Sequence, residues 1–132
     1  MQWGAMVART TVVFFRDSDG SVPVKAWLEN EVARTDRRAA AKLRARLNML
    51  RTDGRDLRRP IADYLRDGIY EVRAQFGSVN YRLLYFFFGD AVAVVSSGLT
   101  KEAKMPDREI DLAVRRKALF ESDPERHTYE EA

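Results

Sequence analysis

The chain contains no cysteine and only one histidine, His127, among its 132 residues. The first absence excludes a disulfide framework, thiolate-ligated zinc and a thiol nucleophile, and it fits a reducing cytoplasm. The second leaves no imidazole cluster to hold a metal. No apolar run approaches the ~20 residues of a membrane span. The first residues show neither the basic start nor the cleavage pattern of a signal peptide. Only four prolines and seven glycines punctuate a chain that is 45% apolar and 33% charged, the balance of one domain with a real core. The expectation is a single domain over residues 1–132, with 1–8 a flexible extension and 121–132 an acidic tail. That tail carries five acids and one arginine, so of the formal net charge of +3, about +7 sits on the first 120 residues. A basic body with an acidic tail suggests a polyanionic partner, most simply nucleic acid.

What the chain does have is one dense β-rich stretch. Residues 69–76 and 79–88 are rich in Tyr, Phe, Val and Leu, and Gly77-Ser78 between them suits a type II′ hairpin turn. Gly89-Asp90 repeats the device before residues 91–97. Two-residue loops would set Phe76 opposite Val79, Phe88 opposite Ala91, Arg73 opposite Arg82, and Arg82 opposite Ser97. Alternation then puts Tyr70, Val72, Ala74, Phe76, Val79, Tyr81, Leu83, Tyr85, Phe87, Val92 and Val94 on a core face. The other face carries Glu71, Arg73, Gln75, Asn80, Arg82 and Ser97, grading into Leu84, Phe86 and Val95. Two arginines opposed across a strand pair destabilise by a few tenths to about 1 kcal/mol. Either Glu71 neutralises them in a surface ion-pair cluster, or they form an anion-binding site.

Around this stretch the pattern is helical. Residues 10–16 read as a first strand, with no partner fixed by the sequence, and residues 17–21 as its turn-rich exit. Pro23 opens a helix to about residue 33, with Val24, Trp27, Leu28 and Val32 at helical spacing. A second helix starts after Thr35 or Asp36 and ends at Asp53 before Gly54, burying Ala39, Ala40, Leu43, Leu47 and Leu50. Its basic side, including Arg37, Arg38, Lys42 and Arg44, is either a solvated face or a contact for RNA backbone. Residues 55–68 read as a connecting segment and 98–105 as a loop bearing Lys101 and Lys104. A last helix from Pro106 ends before Asp123-Pro124. The fold class is therefore α+β: an N-terminal strand and two helices, a three-stranded antiparallel meander, and a C-terminal helix.

That order of parts, with Leu65-Arg66-Asp67-Gly68-Ile69-Tyr70-Glu71-Val72-Arg73, Tyr81-Arg82-Leu83-Leu84-Tyr85-Phe86 and Gly98-Leu99-Thr100-Lys101-Glu102 followed by Lys104 and Pro106, resembles the phage-derived branch of the RelE/HigB toxin superfamily. The resemblance spans residues 11–129, including the closing Asp123-Pro124-Glu125-Arg126-His127-Thr128-Tyr129. It implies a RelE-like fold and the toxin of a type II toxin-antitoxin pair: a cytoplasmic, ribosome-dependent mRNA endoribonuclease with no cofactor, metal or membrane association. Its implied partners are a cognate antitoxin of helix-turn-helix type, the ribosome and mRNA. Arg73 and Arg82 suit stabilisation of a phosphorane, because guanidinium binds phosphate oxygens in a planar fork and stays charged. Lys101 and Lys104 occupy the loop where similar toxins place basic or imidazole side chains, which makes all four the implied catalytic set. Relatives often carry His just before Gly-Leu-Thr-Lys-Glu, where this chain has Ser97. His127 and Tyr129 are the auxiliary residues that folding back of the tail would supply; the bland alternative is a mobile tail with an exposed His. The second functional expectation is a non-catalytic module of the same fold acting through a protein or RNA partner.

Overall fold

A computed structural model describes residues 9–101 and 104–131; the extension assigned to residues 1–8 lies outside them. Six strands form one sheet: β1 (Thr11–Phe15), β2 (Ala62–Arg66), β3 (Ile69–Phe76), β4 (Val79–Phe88), β5 (Val92–Thr100) and β6 (Thr128–Tyr129), in the order β2-β3-β4-β5-β1-β6. β1 lies parallel to β5, with Val13 beside Val94, and the other neighbours are antiparallel. Helices cover both faces. α1 (residues 23–35) widens into a π turn at Trp27–Val32, α2 is Arg37–Asp53, α3 is Asp107–Ser122 and α4 is the single turn Pro124–His127. No helix among the described residues is long and apolar enough to cross a membrane.

α2 forms where the sequence places it. The Asp36 carboxylate accepts from the Arg38 N–H at 2.9 Å, Gly54 closes the helix at φ 52°, and the five expected apolar residues are buried. They meet Val72, Leu83, Tyr85 and Val95 in one core, whereas Ile110, Ala113 and Phe120 of α3 meet Ile69, Leu84, Phe86 and Val94 in a second core on the opposite face. Tyr81 and Tyr85 are core residues. The two cores need near-continuous apolar strands, which β4 supplies in Leu83 to Phe87.

Three expectations are corrected. The segment 55–68 is more than a connection, because Ala62–Arg66 adds a fourth meander strand, joined to β3 through Asp67 (φ 52°) and Gly68 (φ 82°), a pair suited to a type I′ turn. An edge strand written Ala-Asp-Tyr-Leu-Arg just after Pro60 carries too much charge to stand out. The first hairpin keeps the expected register, with Arg73 opposite Arg82, but the second does not. Its loop holds three residues, Gly89 to Ala91, so Phe88 faces Val92, and Ser96 is bulged, so Ser97 faces Leu84 and Arg82 faces Leu99. The one-residue shift near the turn puts Val92 and Val94 on the α3 face and Val95 on the α2 face, the reverse of the expected sorting. The bulge has a physical reason: Arg116 of α3 donates to the Ser96 carbonyl at 2.7 Å and to Ser97 Oγ at 2.9 Å, satisfying groups the ladder leaves free. Finally, residues 98–100 belong to β5 rather than to a loop.

Candidate functional site

The site grows from the alternation of β3 and β4. Glu71 and Arg73 on β3 and Arg82 on β4 point to the α3 face, beyond the end that α3 covers. There they line a cleft of about 340 Å³ together with Tyr64, Arg66, Lys104, Met105, Asp107 and Ile110. Glu71 is the centre of this arrangement. Only 4% exposed, its carboxylate receives Arg73 at 2.8 Å through Oε2 and stands 3.3 Å from Arg82 Nε through Oε1. Oε1 accepts no hydrogen bond among the described residues although it is buried. Arg73 also reaches Asp63 at 3.3 Å. Thus Glu71 neutralises the arginine pair in an ion-pair cluster, and that cluster lies in a cleft.

The surroundings fix the geometry. Arg66 is held by Asp111 at 2.8 Å and Asp67 at 2.7 Å, and these hydrogen bonds, Asp111 first, raise its pKa. Asp63 is held below the usual carboxylate range, first by its hydrogen bond from Arg59. Burial pushes the Tyr85 hydroxyl well up, and Tyr70 beside it adds to the effect. Arg46 of α2 donates to the Arg73 carbonyl at 2.9 Å, and the Arg73 N–H donates to the Ile61 carbonyl at 2.7 Å, so the backbone under the site is tied on both sides. Burial lowers the pKa of Arg116.

The residues singled out from sequence are therefore separated. Arg73, Arg82 and Lys104 share the cleft, but Lys101 lines a different hollow with Trp27, Glu31 and Arg108. Glu102 and Ala103 between the two lysines lie outside the described residues. Ser97 is on the same face but buried under Arg116. His127 is neither an exposed tail residue nor part of the cleft. It is 3% exposed, stacked on Phe15 with ring centroids 5.5 Å apart, and its Nδ1 is 2.8 Å from the Arg16 carbonyl oxygen. Tyr129 pairs with Phe14 in β6, at the sheet edge opposite β2. On α2, Lys42 donates to the Gln75 carbonyl at 2.6 Å, Arg44 pairs with Glu131 at 2.7 Å, and Arg38 lies over the Phe76 ring at 5.3 Å, while Arg37 is exposed. In the sequence Glu71 stands out only as a neutraliser of the arginines, and no local pattern marks Tyr64 or Arg116. Tyr64 lay in the segment read as a connection, and the Arg116 contact joins residues 19 and 20 positions apart, which no local pattern reveals.

These features define a small α+β protein with an arginine-lined cleft on its sheet. The family model described as phage-derived protein Gp49-like (DUF891) matches residues 30–118, two thirds of the chain, a stretch that includes α2, the whole meander and most of α3. The chain belongs to this Gp49-like family, which is of the RelE/HigB-like toxin type. No curated protein matches the chain.

Proposed function

We propose that the protein is the toxin of a toxin-antitoxin pair with a RelE-like fold, and that it cleaves mRNA on the ribosome. The observation that carries this reading is the convergence of Arg73, Arg82 and Lys104 on one cleft, with the buried Glu71 carboxylate as the anion between the two arginines. An RNA phosphate entering the cleft takes over donors that Glu71 now holds. In the reaction the ribose 2′-oxygen attacks the adjacent phosphorus, the P–O5′ bond breaks, and a 2′,3′-cyclic phosphate and a 5′-hydroxyl result. The 2′ proton leaves and the 5′-oxygen gains one, so no oxidant, metal or cofactor enters the balance. Arg73 and Arg82 stabilise the extra negative charge on the equatorial oxygens in the transition state, and Lys104 adds a cation at the mouth of the cleft. The ribosome supplies the in-line orientation of the 2′-hydroxyl.

The test adds purified protein to ribosomes translating a defined mRNA and maps new RNA ends by primer extension. Cuts in the ribosomal A site are expected, falling at least ~100-fold in Arg82→Ala, the loss typical of one oriented charge donor. Thermal unfolding shows whether that variant keeps its fold. Two observations favour the second reading, a binding module without cleavage: Ser97 is sealed beneath Arg116, and the single imidazole is stacked at the far edge of the sheet. A folded wild-type protein that binds ribosomes or a partner and yields no cuts decides for that module.

A further inference from the structure

The arginine cleft does not end at the β2 edge. Tyr64 lines it and also lines a second hollow of about 530 Å³ beyond that edge, whose walls include Arg55, Arg58, Arg59 and Tyr70. Tyr64 is the most exposed large apolar side chain among the described residues, at 53%, yet it is held in place. Its hydroxyl accepts from the Gly68 N–H at 3.0 Å, and Tyr70 braces its ring edge-on at a centroid distance of 5.0 Å. Tyr70 in turn stacks on Tyr85 at 5.3 Å, so the exposed ring is the outer end of an aromatic row rooted in the core. The charge around it is mainly positive. Arg55 is fixed over the Phe87 ring at 4.2 Å, and Arg59 pairs with Asp63 at 3.0 Å. Arg58 is exposed and takes part in no ion pair among the described residues. An exposed, immobilised aromatic among guanidinium groups is the arrangement by which proteins hold single-stranded nucleic acid: bases stack on the ring and phosphates meet the cations.

We propose that this hollow is a nucleotide subsite. With one phosphate at Arg73 and Arg82, the adjoining nucleotide of a single-stranded RNA crosses the β2 edge, stacks its base on Tyr64 and presents its next phosphate to Arg58 and Arg59. The inference rests on the RNA reading above and extends it from one phosphate to the path of the strand. Because every base has a π face, the subsite adds affinity with little sequence preference.

The test is fluorescence anisotropy with two probes, a labelled oligouridine and an abasic ribose-phosphate chain of the same length. The wild-type chain is expected to prefer oligouridine. Tyr64→Leu is expected to weaken oligouridine about tenfold, about 1.4 kcal/mol, and to leave the abasic chain unchanged, with Tyr64→Phe close to wild type. Arg58→Ala is expected to weaken both probes and to lower the slope of log affinity against log salt by about 0.7. If Tyr64→Leu affects both probes alike, or neither, no base stacks there and the subsite is overturned, leaving the hollow to a protein partner. Should Tyr64→Leu have no selective effect while Arg82→Ala still weakens both probes, the subsite fails and the RNA reading of the cleft stands. Should the wild-type chain bind neither probe, the subsite is overturned, while the mapping of cuts on translating ribosomes decides the RNA reading by itself.

Discussion

A buried carboxylate between two arginines has two descriptions with different consequences. If Glu71 is only a structural counter-ion, its charge is what matters and nothing else replaces it well. If it occupies the position of a substrate phosphate, a free anion does. Glu71→Gln keeps the shape and removes the charge, leaving Arg73 and Arg82 opposed across β3 and β4 with Asp63 as the remaining acid contact. Removing one partner of a fully buried pair costs about 3–5 kcal/mol. Arg73 is 36% exposed and Arg82 16%, so solvent screens part of that cost and a loss of about 1–3 kcal/mol is expected. Inorganic phosphate is then expected to restore stability in the variant, by about 2.7 kcal/mol at a hundredfold excess over its Kd, while moving the wild-type melting curve far less. Thermal unfolding with and without phosphate makes the comparison. Equal stabilisation of both proteins would mean that phosphate binds elsewhere and that Glu71 does not hold the anion position.

The elements show why part of the architecture was legible and part was not. β3, β4 and α2 are written in strong local patterns: a Gly-first turn, an unbroken aromatic run, an Asp cap and a Gly stop within one helix length. The same locality gave the Arg73–Arg82 pairing, since a two-residue loop leaves no freedom of register. What failed depends on partners distant in sequence. The bulge at Ser96 needs Arg116, and β2 becomes a strand only because β3 offers it an edge. The docking of the tail is equally hidden, since His127 finds Phe15 across more than a hundred residues. The π turn of α1 holds Trp27, which lies against Gly98 of β5, where a Cβ would clash with the indole ring. Gly98→Ala therefore forces Trp27 outward, and overpacking of this kind costs about 1–3 kcal/mol. The lower stability should appear in a denaturant titration together with a change in Trp27 fluorescence. Since β5 runs beside Arg82 at Leu99, weaker cleavage is expected as well. An unchanged denaturation midpoint would show that α1 moves aside without cost.

Across the molecule, charge is arranged by edge. The acidic tail runs through α4 into β6, which pairs with β1 at the opposite edge from β2, and brings Glu131 to Arg44 at 2.7 Å. It therefore neutralises part of the outer side of α2 and leaves the arginine cleft open. The basic row of α2 is divided by this ion pair. Lys42 is committed to a backbone carbonyl and Arg44 to Glu131, whereas Arg37 is exposed and Arg38, though 3.4 Å from Asp36, keeps 80% of its side chain in solvent. If the row meets RNA backbone on the ribosome, as the proposed function would have it, its members are expected to differ. Removing the side chain that meets one phosphate reduces the slope of log affinity against log salt by about 0.7–0.9. Replacing Arg37 and Arg38 together with Ala is thus expected to flatten the salt dependence of ribosome binding by roughly 1.5, twice the single-phosphate value, while the position of the mRNA cut stays the same. Arg44→Ala, whose charge is already met by Glu131, is expected to flatten it hardly at all. Ribosome co-sedimentation over a range of salt separates the two. Equal flattening by Arg44→Ala would mean that the tail leaves α2 when the ribosome binds, and that the full basic row then faces RNA.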